Sequence, residues 1–418
     1  MIQLRWRFLY DETDADFQRK KATLSLIDMW WRAFEDKGAA MFEELIANNS
    51  PEVEPAAAWV REHLLSINPD LLWECERLSD NQRLFVVTAE YDLGLRALAD
   101  LIVQRAPVMR NWTFSSFRNP ASPHMYESEF AAKSGGKLPD DLTVSLTRTP
   151  NNQIDLHFYS RTFKSANDEN DISQSMILSS IVLGEEFFEK WIGYVFAYRR
   201  TGGAMNAIQS LLRLKSKDEG VPLASLQSEF ERLKTAITTD LPSRPLAQEI
   251  VPENNPWTVI GMKVPEQPPA DFEPPDRISY LTMTPSVVLS TLNARHFFSE
   301  CHSSQSETFC YLKCARDPEV DIRQEREQLE KSIDHCLRLN NLGCQTGSGL
   351  GLNHLFIDLA LSDVDKAVVL LRDTAREFDL PHDSWLLFYD SKWCAEWVGL
   401  YPDTRAPFEV AGHTEPAG

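Results

Sequence analysis

The chain has 418 residues, 43% hydrophobic and 25% charged, with 42 Lys and Arg against 62 Asp and Glu for a net charge of −20. That length exceeds what one core usually needs and points to two or three domains. A surface this acidic repels a phosphate backbone, so nucleic acid is a poor partner, and no apolar window approaches the ~18 residues of a membrane helix.

The N-terminus, "MIQLRWRFLYDETDADFQRKK", has no apolar run of signal-peptide length, and acids follow at once. The expectation is a soluble, cytoplasmic protein without a membrane partner. Seven Cys at irregular spacing then read as thiols, not a disulfide frame. Arg19-Lys20-Lys21, at the start of a helix, reads as a solvated face. Residues 1–67 read as an N-terminal helical segment on which Leu24, Ile27, Trp31 and Phe34 form one stripe.

Residues 68–200 read as a first α+β module. "RLFVVTAEY" and "NWTFSSFRN" have strand character, and a helix over 92–107 lies between them. "DLTVSLTRTPNNQIDLHFYSR" alternates cleanly around Pro150-Asn151-Asn152, the pattern of a hairpin. Residues 201–240 read as a helical connector whose Leu223, Leu226, Phe230, Leu233 and Ile237 keep an a/d spacing. Residues 241–275 hold nine of the 24 prolines and read as a linker, with Pro265-x-x-Pro268 as a minimal polyproline pattern. Residues 276–404 read as a second α+β module and 405–418 as a tail. In that module Ser362-x-x-Asp365 opens a helix in the manner of a capping box.

Residues 83–118 and 354–390 share a plan: Leu-Phe in a strand, a helix stopped at Pro, then Trp opening a strand. The expected fold is therefore α+β, with two tandem α/β sandwich modules of split βαβ, ferredoxin-like character plus N-terminal and central helices.

"APVMRNWTFSSFRNP" (106–120) and "LGEEFFEKWIG" (183–193) carry a W-x-F-x-x-F-R stretch and an L-G-E-x-x-x-E segment. Over about residues 20–200 the chain resembles a group of uncharacterised bacterial proteins with the same features after a Trp-rich helix. The resemblance implies a bacterial origin and no particular activity.

Three groups of residues are candidates for chemistry. The glycines of "GCQTGSGLGLNHLFIDLAL" (343–361) first suggest a phosphate loop. However, a helix precedes them and a strand follows, the reverse of a dinucleotide site, and no Gly-Lys-Ser/Thr appears. They read as a helix-to-strand corner with positive φ at several positions. The cysteines and histidines of 296–344 include Cys310-x₃-Cys314, but i and i+4 on a strand stand about 13 Å apart, too far to share a metal. No cofactor or metal is expected. Asp155 with His157, and His354 with Asp358, each share a strand face and offer an acid–base pair if a cleft covers them. Trp393 and Trp397, four apart, are candidate anchors of a partner interface.

Acidity, abundant Trp and the lack of a catalytic signature favour a non-enzymatic binding or regulatory protein. An acidic inhibitor or immunity-type protein that caps a basic protein surface fits the charge. The alternatives are a hydrolase using one of the His/Asp pairs, and a structural or assembly subunit joined through the 205–238 helices.

Overall fold

The computed structural model describes all residues except 1–4, 6, 15, 48–53, 167, 201–219, 251–255, 262–276, 317–322, 352 and 408–418. The chain forms two compact units. One joins residues 1–116, 242–288 and 298–418; the other joins 117–241 and 289–297. The range 68–200, expected as one module, thus falls in both units, because its strands belong to two separate sheets.

The N-terminal part of the first unit is built on aromatic packing. Helices Phe17–Ala33, Ala39–Ala47 and Glu54–His63 follow one another, with a π-helical turn over Phe34–Gly38 joining the first two. Phe34 is fully buried, its ring 5.2–5.9 Å from those of Trp30, Trp31, Phe42, Phe85, Trp112 and Phe114. Ring pairs at such spacing add to the stabilisation from buried area alone. Strand β1 (Leu72–Ser79) pairs antiparallel with β2 (Gln82–Thr88), which pairs parallel with β3 (Trp112–Ser115). Helix Leu93–Gln104 connects β2 to β3, and Asp92 caps it by accepting from the Gly94 N–H. β1 escapes a sequence reading because only Trp73 and Cys75 turn to the core while Leu72 and Leu78 are exposed.

In the second unit, β4 (Thr143–Arg148) and β5 (Ile154–Ser160) form the expected hairpin. β6 (Ile192–Arg199) lies parallel to β5, and the two-residue β7 (Val221–Pro222) borders β4. Helix Glu169–Leu183 is N-capped by Asp168 and stops at Gly184, where φ is +78° and helix Glu185–Trp191 begins. Helix Leu226–Thr239 buries Leu226, Phe230 and Ile237 within its own unit, so the a/d stripe is core and not a dimer seam.

The first unit also holds a seven-stranded sheet. Its strands are β8 (Thr258–Gly261), β9 (Arg277–Thr282), β10 (Thr308–Ala315), β11 (Gly343–Gly351), β12 (His354–Leu361), β13 (Ser384–Phe388) and β14 (Trp397–Gly399). The order is β14-β13-β10-β12-β11-β9-β8, and every neighbouring pair is antiparallel. Helices Arg323–Leu339 and Val364–Glu377 cover one face. Leu329, Ile333 and Leu337 from the first, and Val364, Val368 and Leu371 from the second, join Cys310, Leu312, Ile357, Leu359 and Leu386 in one core. Asp363, not Ser362, caps the second helix by accepting from the Lys366 N–H at 3.1 Å. The protein is therefore of the α+β class.

Three expectations change. The proline-rich range is not a spacer throughout: Leu246–Glu249 is helical, and the Leu246 N–H donates to Glu307 at 2.7 Å. Thr258–Gly261, a short β-prone run among the prolines, adds the edge strand β8; Pro265-x-x-Pro268 lies outside the described residues. The glycine stretch is not a corner but strand β11 itself, hairpinned to β12, and of its glycines only Gly343 has positive φ (+140°). The two echoing segments also differ. β2 and β3 are direct parallel neighbours, whereas β12 and β13 run parallel with β10 between them.

Candidate functional site

The carboxylates singled out in the sequence have structural partners. Asp155 accepts the Tyr194 N–H at 2.8 Å, where the β5–β6 register shifts between Ile154 and Leu156. His157 stacks on Phe196, with centroids 5.0 Å apart and planes 11° apart, and lies 6.0 Å from Tyr198. Asp155 thus pins a bulge while His157 belongs to an aromatic row.

His354 and Asp358 are not brought together either, since four residues along a strand separate them by about 13 Å. His354 lies beside Phe356 and Trp385, with ring centroids at 6.4 and 6.0 Å. Asp358, 3% exposed, meets Arg277, 7% exposed, through two parallel contacts of 2.7 and 2.5 Å. The Tyr389 hydroxyl donates to Asp358 at 2.7 Å and accepts from Arg277 at 2.9 Å. Burial first, and the neighbouring Asp358 charge second, push the Tyr389 phenol well above its ordinary range. The Arg277 guanidinium lies 3.8 Å over the Tyr280 ring. A bidentate buried pair of this kind holds strands in register.

The glycine spacing finds its reason here. A Cβ at Gly349 would lie 2.5 Å from Arg277 Nε, and one at Gly347 would lie 2.8 Å from Asp358 Oδ2. β11 runs between β9 and β12, so the Arg277 side chain must cross it to reach Asp358. The signal in the sequence is Gly347-x-Gly349, two glycines on one strand face, but their partner Arg277 is about seventy residues away and gives no local hint.

Of the two tryptophans, Trp397 is buried under Arg5, whose guanidinium lies 3.7 Å over its ring. Trp393 meets Phe388 and Phe8 edge-on at 4.6 and 5.5 Å. Trp397 is thus packed inside its own unit and does not project as an anchor, while Trp393 is half-buried. Cys310 and Cys314 point into the core; burial pushes the Cys314 thiol up to about 12. Among the described residues no three His, Cys, Asp or Glu side chains stand together to hold a metal ion.

The end of the 106–120 stretch and the 183–193 segment meet in the second unit. The Arg118 N–H donates to the Glu185 carboxylate, and the Glu185 N–H donates to the Arg118 carbonyl, both at 3.0 Å. A Cβ at Gly184 would lie 2.9 Å from Pro120 N, so Gly184 is what lets the segments close.

The remaining candidate is a cleft of about 420 Å³ in the first unit, lined by Arg7, Phe8, Lys20, Ala97, Asp100, Leu101, Gln104, Trp393 and Glu396. That volume lies within the range of small-molecule sites. Helix Leu93–Gln104 supplies one wall, the N-terminal segment and helix Phe17–Ala33 another, and the 391–396 turn a third. Most of its charges have partners. Arg7 pairs with Asp365 at 2.6 Å, Asp100 accepts from the Ser116 hydroxyl at 2.6 Å, and Glu396 accepts from the Arg7 N–H at 3.3 Å. Lys20 differs. It turns into the cleft, whereas Arg19 and Lys21 face solvent. Burial lowers its pKa and the nearby Glu396 raises it, with the net direction downward. Glu396 is its opposite charge.

Searches of protein-family models, curated proteins and solved structures give no significant match to this chain.

Proposed function

We propose that this protein acts by binding rather than by catalysis, and that its partner is a protein with a basic surface. The observation that carries the reading is the net charge of −20, held by a chain whose candidate catalytic carboxylates are committed to structural bonds. An acidic surface steers a basic partner and raises its association rate, which is how an inhibitor or immunity-type protein works. Seven free thiols suit a reducing bacterial cytoplasm. Neither nucleic acid nor a membrane is part of the reading; among the described residues no helix is long and apolar enough to cross a bilayer.

A finer fold reading goes with it. β10, β11, β12 and β13 with their two helices follow a split βαβ plan of ferredoxin-like kind, for which the order β13-β10-β12-β11 is the support. The strand–helix–strand unit of β2 and β3 would be its shorter counterpart.

The test is cross-linking and co-purification at low salt, with each recovered protein then purified and titrated against the full chain. A basic partner whose affinity falls steeply with ionic strength supports the reading. Partners that are acidic, or binding indifferent to salt, would sink it.

A further inference from the structure

The cleft beside helix Leu93–Gln104 holds one carboxylate that no cation of the protein matches. Each cation around it has a carboxylate of its own. Arg7 pairs with Asp365 at 2.6 Å, Lys392 beside the Trp393 ring pairs with Glu300 at 3.5 Å, and Glu396 stands as the opposite charge to Lys20. Asp100 is left over. Its Oδ1 accepts from the neutral Ser116 hydroxyl at 2.6 Å, and among the described residues no Lys, Arg or His side chain pairs with it. A half-buried carboxylate held only by a hydroxyl is stabilised by a cation that enters the cleft, since a hydrogen bond between two charged groups is stronger than one to a neutral donor.

The helix turns Asp100 to the cleft together with an apolar strip. Ala97, Asp100, Leu101 and Gln104 fall at i, i+3, i+4 and i+7 and line the cleft, while Leu98, Ala99 and Ile102 on the other face are core. Ala97 and Leu101 are half-buried, as is Trp393 across from them. Arg7 and Lys392 already lie 5.4 and 5.6 Å from the Trp393 ring, so that wall takes the body of a ligand and not its charge. Burying an apolar body there adds to the ion pair at Asp100. We propose that this cleft binds a small organic ammonium ion, with its ammonium on the Asp100 carboxylate and its apolar body against Ala97, Leu101 and Trp393. The site is separate from the protein–protein reading above and is tested without it.

The experiment titrates the full chain with 4-phenylbutylamine, 4-phenylbutan-1-ol and 4-phenylbutyrate, followed by calorimetry. The amine should bind roughly ten-fold tighter than the alcohol, the worth of one charged hydrogen bond, and the carboxylate should bind weakest. Asp100→Asn keeps an acceptor for Ser116 and removes the charge, so the preference for the amine over the alcohol should vanish. Glu62→Gln makes the same change in net charge at an exposed position outside the cleft and should keep the preference; thermal melting checks that both variants fold. Equal binding of amine and alcohol to the wild-type chain, or no binding of the amine, overturns the proposal without recourse to any variant. An undiminished preference in a folded Asp100→Asn variant, or an equal loss in Glu62→Gln, would assign the effect to the acidity of the whole chain and overturns it as well.

Discussion

Arg277 and Asp358 meet across an intervening strand, 2.7 and 2.5 Å apart, through a gap that Gly347 and Gly349 leave open. Both charges are almost wholly buried, and Tyr389 closes the network by donating to the carboxylate. Removing one partner of such a pair leaves the other charge uncompensated. Asp358→Asn should therefore cost about 3–5 kcal/mol of unfolding free energy, measured by urea denaturation. The double change Arg277→Met with Asp358→Leu should recover most of that loss, since an apolar pair of similar volume needs no desolvation. Equal instability of the single and double variants would refute this account.

The glycine spacing makes its own forecast. Gly349→Ala brings a methyl against the Ser279 carbonyl and to 2.5 Å from Arg277 Nε, and should cost about 1–3 kcal/mol. Gly261→Ala, on the edge strand with nothing within 4 Å, should change stability by less than about 0.5 kcal/mol. The comparison of their urea midpoints checks whether crowding across β11, and not glycine as such, decides the effect.

His302 gives a pH dependence. Burial lowers its pKa from 6.5 to about 4. Between those values the unfolded chain takes up a proton that the folded chain does not, so stability falls as pH drops from 6.5 toward 4. The loss is on the order of 3 kcal/mol over the whole window. Asp390 and Glu307 act with the opposite sign: burial raises both, so their protonation favours the fold as pH falls. The His302 contribution is isolated by comparing wild type with His302→Gln from pH 7 to pH 4. The gap between the two stability curves should narrow or reverse as pH falls; curves that stay parallel would remove His302 as the cause.

The thiols should divide into two groups. Burial pushes Cys314 and Cys344 up to about 12, and Cys310 well above its ordinary value. A thiolate reagent at pH 8 should leave these three unmodified in the native protein, whereas all seven cysteines react in denaturant. Mass spectrometry of the modified peptides identifies which react; prompt native modification of Cys310 would contradict its place in the core.

Much of the secondary structure is readable in the sequence because its causes are local. The β4–β5 alternation, the helix Val364–Glu377 with its buried stripe, and the Phe17–Ala33 helix all carry a period that needs no distant partner. β1 does not, since half of it faces outward with Leu72 and Leu78 exposed. The candidate site was less legible. Asp358 stands out in the sequence, but its neighbour His354 is only a neighbour in sequence, and its true partner comes from β9. Lys20 reads as one of three cations on a solvated face, and only its rotation into the cleft sets it apart.

The sequence by itself determined the α+β class, the acidity and most strands and helices, because patterning and composition act over a few residues at a time. The tertiary structure alone decided what the glycines of 343–351 are for. A strand carries glycines for a turn, a ligand or a crossing side chain, and nothing nearby distinguishes these. Only the pairing of β9, β11 and β12 brings Arg277 across Gly349 to Asp358, and with it the reason that no Cβ is tolerated there.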